Sequence, residues 1–371
     1  MKKVLFFIPT LGGGGAEKVL VNLVNNMDLT KFDITILTLF DTGNNKAYLN
    51  SNINYKFIFK KMFRGNIHLL KLFSPEYLAL KFIRDDYDIA VSYLEGPTTR
   101  IVSGIQNENT KKINWIHSKS TKSSLSQAYR NFKEVIDCYN EFDCTVFVSE
   151  TAKDSFIEET GLINHNYKVK YNTIETNKIL NLSKESINDA KFNPDKINLI
   201  TVGKLVEVKG YDRLLKVLKK LISQEKNIHL YILGVGRLES KIKKYIQSNN
   251  LDNYVTLLGY KDNPYKYVNR ADLFVCSSYS EGFSTAVTES LIVGTPVITT
   301  RVSGMEEMLG KNSEYGLIVE NDITSLYNGL KTLLSNKNMF NYYSEKAIER
   351  SSFFDTRKTV KDVESLFMNL L

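Results

Sequence analysis

Two glutamates, Glu281 and Glu289, flank the run Gly282-Phe283-Ser284-Thr285-Ala286-Val287-Thr288. A carboxylate accepts two hydrogen bonds at once, so such a pair beside a helix start suits the hydroxyls of a ribose or another sugar. The helix start adds free backbone amides and a partial positive charge for a phosphate oxygen. Upstream, the stretch Gly203-Lys204-Leu205-Val206-Glu207-Val208-Lys209-Gly210 brings two lysines into one short loop. Two ammonium groups there would hold a diphosphate as point charges without a metal; solvated loop lysines are the plain alternative. A third segment, Leu11-Gly12-Gly13-Gly14-Gly15, lets backbone amides approach a ligand closely. It is not the dinucleotide fingerprint, because no acidic residue ends the second strand in the usual place; Asp41 follows that strand in a loop. Glycines of this kind also serve simply as tight turns.

Each of these segments joins a strand pattern to a helix pattern. Val4–Ile8 is a continuous apolar run, as for a strand buried on both faces, and Ala16, Val19, Leu20, Leu23, Val24 and Met27 then recur at helical spacing. Further strands are expected at Ile34–Leu39, Ile89–Tyr93, Ile113–Ile116 and Thr145–Val148. A second series is expected at Ile197–Val202, Ile228–Leu233, Val255–Leu258, Leu273–Cys276, Pro296–Thr299 and Gly316–Val319. Strand and helix alternating in this way imply right-handed βαβ units on parallel sheets. Polar residues dominate 172–195, ending in Asn193-Pro194-Asp195, the best place for a linker. The expected architecture is α/β, with two doubly wound Rossmann-like domains facing a cleft. The first spans 1–172, a linker 173–195, the second 196–350, and a helix at 351–371 returns to the first domain.

With these motifs the chain resembles the family-4 retaining glycosyltransferases of the GT-B fold, whose mark is two glutamates separated by seven residues, as here. The resemblance extends through the glycine loop, Gly203–Gly210, Leu233-Gly234-Val235-Gly236, Leu258-Gly259-Tyr260 and Ser303-Gly304-Met305-Glu306-Glu307. It implies a transferase of the bacterial capsular or exopolysaccharide type, with Lys204 and Lys209 on the donor diphosphate. It implies that Glu289 binds ribose, that Glu281 contacts the transferred sugar, and that amides around Phe283 to Thr285 support sugar and phosphate oxygens. The base would lie near Gly234 and Tyr260, with Gly14, Gly15, Gly203, Gly282 and Ser284 completing the donor site. His117, just after Ile113–Ile116, would face the donor sugar; as a lone histidine it reads as a loop residue. His117, Glu281 and Lys209 are thus the expected catalytic set. The implied reaction moves a hexosyl or N-acetylhexosaminyl unit from a UDP-sugar to a glycan or lipid-linked acceptor, with no cofactor and no metal. Lys204 stands where many relatives carry arginine, and Ser284-Thr285 replaces more familiar residues beside the sugar. A sugar-nucleotide epimerase of the same fold and a non-catalytic nucleotide-sugar sensor are the alternatives.

The remaining features narrow the partners. The chain has 371 residues, enough for two ordinary domains, and 24% charged residues, as in globular proteins. No apolar run approaches the ~20 residues of a membrane-spanning helix, and the N-terminus reads as a strand, not a signal peptide. Cys138, Cys144 and Cys276 have neither disulfide nor metal spacing, which fits a reducing cytoplasm. Asp86-Tyr87-Asp88 precedes a strand, where the metal-binding Asp-x-Asp of another transferase fold would follow one. The formal charge is +8, and two stretches, Lys56–Arg84 and Lys111–Lys133, are each +6 in an otherwise acidic half. Nucleic acid, an anionic membrane and a phosphate-bearing acceptor would all suit them, as would plain solvation; the reading taken is without nucleic acid. In the first stretch Met62, Phe63, Ile67, Leu70 and Phe73 lie among Lys60, Lys61, Arg64 and Lys71. That pattern leads us to expect a peripheral protein on the inner face of the cell membrane.

Overall fold

The protein is described by a computed structural model covering residues 1–163, 165–224 and 227–371. The apolar run that opens the chain forms β1 (Lys2–Ile8), whose Val4 to Ile8 are fully buried. A strand with both faces covered belongs in the middle of a parallel sheet, and β1 pairs in parallel on either side. Its sheet contains β2 (Phe32–Phe40), β3 (Asn54–Phe59), β4 (Ile89–Ser92), β5 (Lys111–Ile116), β6 (Cys144–Phe147) and β7 (Tyr167–Val169), in the order β3-β2-β1-β4-β5-β6-β7. The second sheet holds β8 (Ile197–Val202), β9 (Ile228–Leu233), β10 (Val255–Gly259), β11 (Leu273–Cys276), β12 (Val297–Thr300) and β13 (Leu317–Val319), in the order β10-β9-β8-β11-β12-β13. All of these pairings are parallel. Strand order reverses beside β1 in one sheet and beside β8 in the other, and crevices open at the carboxyl ends of such strands. The fold is therefore α/β with two Rossmann-like sheets.

The chain divides into two compact units, Met1–Ile174 with Thr356–Leu371, and Glu175–Asp355. Helix Thr356–Leu370 is part of the first unit: Phe367 lies 5.9 Å from Phe6 and 6.1 Å from Phe32 between ring centres, and Glu364 accepts from the Asp28 amide at 2.6 Å. In the second unit, helix Tyr211–Ile222 turns Leu214, Leu215, Leu218 and Leu221 onto the core beneath β8 and β9.

Three elements correct the sequence reading. Strands β3 and β7 do not stand out as apolar runs because both lie at sheet edges, with exposed or half-exposed residues. The segment taken as a linker contains helix Thr176–Ser183, which buries Ile179. Its last carbonyls, Leu182 and Ser183, accept from the side chains of Asn263 and Asn269, so polar composition here serves helix capping inside the second unit. Among the described residues no helix is long and apolar enough to cross a membrane.

Candidate active site

In the second unit the loops after β8 and β11 meet. The 3-10 turn Glu207–Lys209 leads into Gly210, whose φ of +65° and approach to the Ser277 carbonyl exclude any side chain; a Cβ there would lie 1.9 Å from that oxygen. Close contact at that point brings the Lys209 ammonium to 2.6 Å from Glu281 Oε1. The Ser278 hydroxyl donates to the same oxygen at 2.5 Å, and Ser277 Oγ donates to the Lys209 carbonyl at 3.0 Å. The Glu281 side chain is only 10% exposed, while Lys209 keeps 28%, so the cation is the member of the pair that a ligand reaches first. Lys204 is exposed in the same loop. Tyr211 donates to the Gly203 carbonyl at 3.0 Å, holding the loop's start. At Gly234 (φ +137°) a Cβ would sit 1.9 Å from the Gly203 oxygen, so the loops after β8 and β9 can be this close only through glycine.

Glu281, Gly282 and Phe283 precede helix Thr285–Ile292, which Ser284 caps by accepting from the Val287 amide. Phe283 is buried, with its ring 6.4 Å from Phe354. Glu289 lies on the helix, 7% exposed, and the Tyr265 hydroxyl is 3.5 Å from its Oε1. Tyr260 is 63% exposed beyond the end of β10. The structure thus joins Lys209, Glu281 and Ser278 directly and puts Glu289 on the adjoining helix.

Beneath this loop lies Arg213, which no motif in the sequence singles out. Its side chain is fully buried and forms no ion pair among the described residues. Instead its Nε donates to the Ser277 carbonyl at 2.7 Å, and Nη2 to the Ser278 carbonyl. Nη1 donates to Asn321 Oδ1 at 2.7 Å, and the guanidinium stacks 4.0 Å from the Tyr279 ring centre. A buried cation is tolerated only when its donors are satisfied, and these bonds fix the backbone three residues before Glu281.

In the first unit His117 follows β5 and rests on Tyr93, 4.8 Å between ring centres. Burial pushes its pKa down to about 3, so the ring is neutral at ordinary pH, and its Nε2 is a buried atom with no hydrogen-bond partner. The second residue missed from sequence is Glu95, after β4. It accepts from the His117 amide at 3.1 Å and from the Ser118 hydroxyl, and burial raises its pKa. Glu95 therefore holds the loop that carries His117. The glycine loop after β1 is covered by a carboxylate: a Cβ on Gly14 would fall 2.1 Å from Glu17 Oε2. That arrangement favours neutral hydroxyls over a second anion beside Gly14 and Gly15.

Residues 183–350 match the family described as glycosyl transferases group 1. The chain is 27% identical to a Campylobacter jejuni protein named as an N-acetylgalactosamine-N,N'-diacetylbacillosaminyl-diphospho-undecaprenol 4-alpha-N-acetylgalactosaminyltransferase, with 98% of both chains aligned. The chain is a glycosyltransferase whose residues 183–350 match the group 1 family. It is also 30% identical to an uncharacterised Methanocaldococcus jannaschii glycosyltransferase, over 62% of this chain and 60% of that one. An Anabaena protein crystallised with UDP and glucose shares the fold at a TM-score of 0.79 and 17% identity, covering 99% of this chain and all of that one.

In this glycosyltransferase the acidic pair around Tyr87 lies at the opposite end of the sheet from the glycine loop. Asp88 accepts from the Lys3 amide at 2.8 Å where β1 and β4 begin, and Asp86 accepts from Asn107. Among the described residues no group of three His, Cys, Asp or Glu side chains is placed to hold a metal ion.

Proposed function

We propose that this glycosyltransferase moves a hexosyl or N-acetylhexosaminyl unit from a UDP-sugar onto a lipid-linked glycan, with retention, during surface polysaccharide synthesis in the cytoplasm. The observation that carries the reading is the Lys209–Glu281 pair: a partly exposed cation and a nearly buried carboxylate on one oxygen-sharing contact. Lys209, with Lys204 in the same loop, offers positive charge where a diphosphate would leave; Glu281 and Glu289 offer acceptors for sugar and ribose hydroxyls. A relative whose name specifies a diphospho-undecaprenol-linked acceptor, matching along its whole length, supports the lipid-linked acceptor. UDP and glucose in a protein of the same fold support the donor.

The chemistry needs no protein nucleophile. The bond between the sugar's anomeric carbon and the phosphate oxygen breaks, and its electrons go to the diphosphate beside the lysines. The acceptor hydroxyl bonds to the anomeric carbon from the same face and gives its proton to the departing phosphate. Preorganised cations stabilise the charge that develops. Two lysines can serve here without a metal, so turnover is expected to survive EDTA. Lys209→Ala is expected to weaken UDP binding by about 1.5–3 kcal/mol per charge-assisted bond lost while leaving uridine binding intact. Calorimetry with both ligands checks this, and NMR of the product linkage checks retention. Activity abolished by chelation and restored by Mn²⁺, or an inverted product, overturns the corresponding part.

A further inference from the structure

We propose that the connection between β3 and β4, residues 60–84, is the surface by which this enzyme rests on an anionic lipid bilayer. The proposal goes beyond the proposed reaction and does not depend on the identity of donor or acceptor. Edge strand β3 ends at Phe59, and the chain then makes two short helices, Asn66–Lys71 and Pro75–Phe82, before β4 begins. Within this one connection Met62 is 59% exposed, Leu72 73% and Leu80 81%, and Phe63, Leu69 and Phe73 are each exposed by more than a third. Single exposed apolar residues are ordinary; these six, with half-exposed Tyr77 as a seventh on the same connection, mark a contact surface. Leu70, expected from sequence on the apolar contact, is instead buried at 7% and ties the first helix to the core.

The surface is held outward by the fold. Buried Arg100, paired with Glu134 at 2.8 Å, donates to the carbonyls of Leu70 at 3.0 Å and Phe73 at 2.6 Å. Arg130 donates to the Lys71 carbonyl at 2.8 Å. These bonds satisfy the end of the first helix from inside, so Leu69 and Leu72 beside it keep a fixed outward position.

Charge decides what covers it. Lys60, Lys61, Arg64, Lys81 and Arg84 are exposed among the apolar side chains and form no ion pair among the described residues. Half of the other basic stretch is paired, Lys111 with Asp143, Lys112 with Glu141 and Arg130 with Glu134, whereas Lys56 with Asp85 is the pair that opens the first stretch. Unpaired cations with interleaved aliphatic and aromatic groups match a headgroup region, with phosphates above and acyl chains below. A nucleic acid would use the cations and leave the leucines in water.

Co-sedimentation of the full chain with phosphatidylcholine vesicles, with and without phosphatidylglycerol, tests the surface at low salt. Binding is expected to require phosphatidylglycerol and to fall as salt is added. Each basic residue is worth about fivefold and the added carboxylates are repelled, so the K60E/K61E/R64E variant is expected to lose at least roughly a hundredfold in partitioning. L72S/L80S keeps the charges and is expected to lose binding as well. Both variants alter exposed residues only, so both are expected to melt as the parent does and to hydrolyse a soluble sugar nucleotide equally well. That last readout separates a failure of docking from a failure of the proposed chemistry. Equal binding to neutral vesicles, no binding at low salt, or unchanged binding by both variants overturns the proposal. So does a lipid-free dimer that L72S/L80S converts to monomer, or RNA binding that K60E/K61E/R64E removes while vesicle binding persists.

Discussion

His117 shows how one side chain's surroundings set its chemistry. Desolvation against Tyr93 lowers its folded pKa from 6.5 to about 3. The unfolded chain therefore takes up a proton that the folded protein refuses. Stability from this group is complete above the unfolded value and is lost as pH falls from there toward the folded value. Its neighbour Glu95 works in the opposite sense: burial raises its pKa, so its contribution is lost as pH rises through the folded value. A comparison at a single position separates the two. His117→Gln is expected to melt lower than the parent at pH 7 and to lose less of its melting temperature on going to pH 5. Thermal melts across that range check it, and parallel curves overturn it. A neutral ring also means that the acid limb of the rate profile does not belong to His117, so the same variant is expected to leave that limb in place.

At the scale of elements, the site depends on how the start of helix Tyr211–Ile222 is locked to the loop after β11. Arg213 is the lock, bonded to two successive carbonyls, Ser277 and Ser278, ahead of Glu281. Lysine at that position keeps the charge and loses the fork that reaches both carbonyls. Arg213→Lys is expected to raise the donor KM roughly tenfold, as for losing one or two hydrogen bonds to a charged group. If the residue acts through Glu281, the same change in a Glu281→Gln background costs much less, whereas additive effects would make Arg213 a general support of the fold. This element also marks how far sequence reasoning reaches. The inner strands β1, β4, β8 and β11 are legible because burial on both faces demands continuous apolar runs. The edge strands β3 and β7 carry no such demand and are not. Glu281 and Lys209 stand out by residue type in a strand-to-helix loop, but their contact depends on Gly210 meeting a carbonyl from residue 277, a closeness no local pattern encodes. Arg213 and Glu95 are hidden for a related reason. A charged residue reads as solvated by default, and only the tertiary fold brings the carbonyls and amides that allow it to be buried.

For the molecule as a whole, the chain passes between its two units twice, after Ile174 and after Asp355, so the last helix completes the first unit's core although it is far from it in sequence. Phe367 is fully buried there against Phe6 and Phe32. The second unit has its own sheet and its own core around Leu214, Leu230 and Leu326, none of which involves that helix. Damage at Phe367 should therefore be felt in one unit. Phe367→Ala is expected to destabilise the first unit by about 3–5 kcal/mol, the usual cost of emptying a buried phenylalanine site. The lysine and glutamate loops lie in the second unit, so a UDP ligand at a hundredfold excess over its Kd is expected to stabilise that unit by about 2.7 kcal/mol in parent and variant alike. Scanning calorimetry of the variant would then show two transitions, the lower one indifferent to UDP and the upper one raised by it. A single transition that falls with the substitution and rises with the nucleotide would mean instead that the two units unfold together, and that the last helix stabilises the donor-binding half as much as its own.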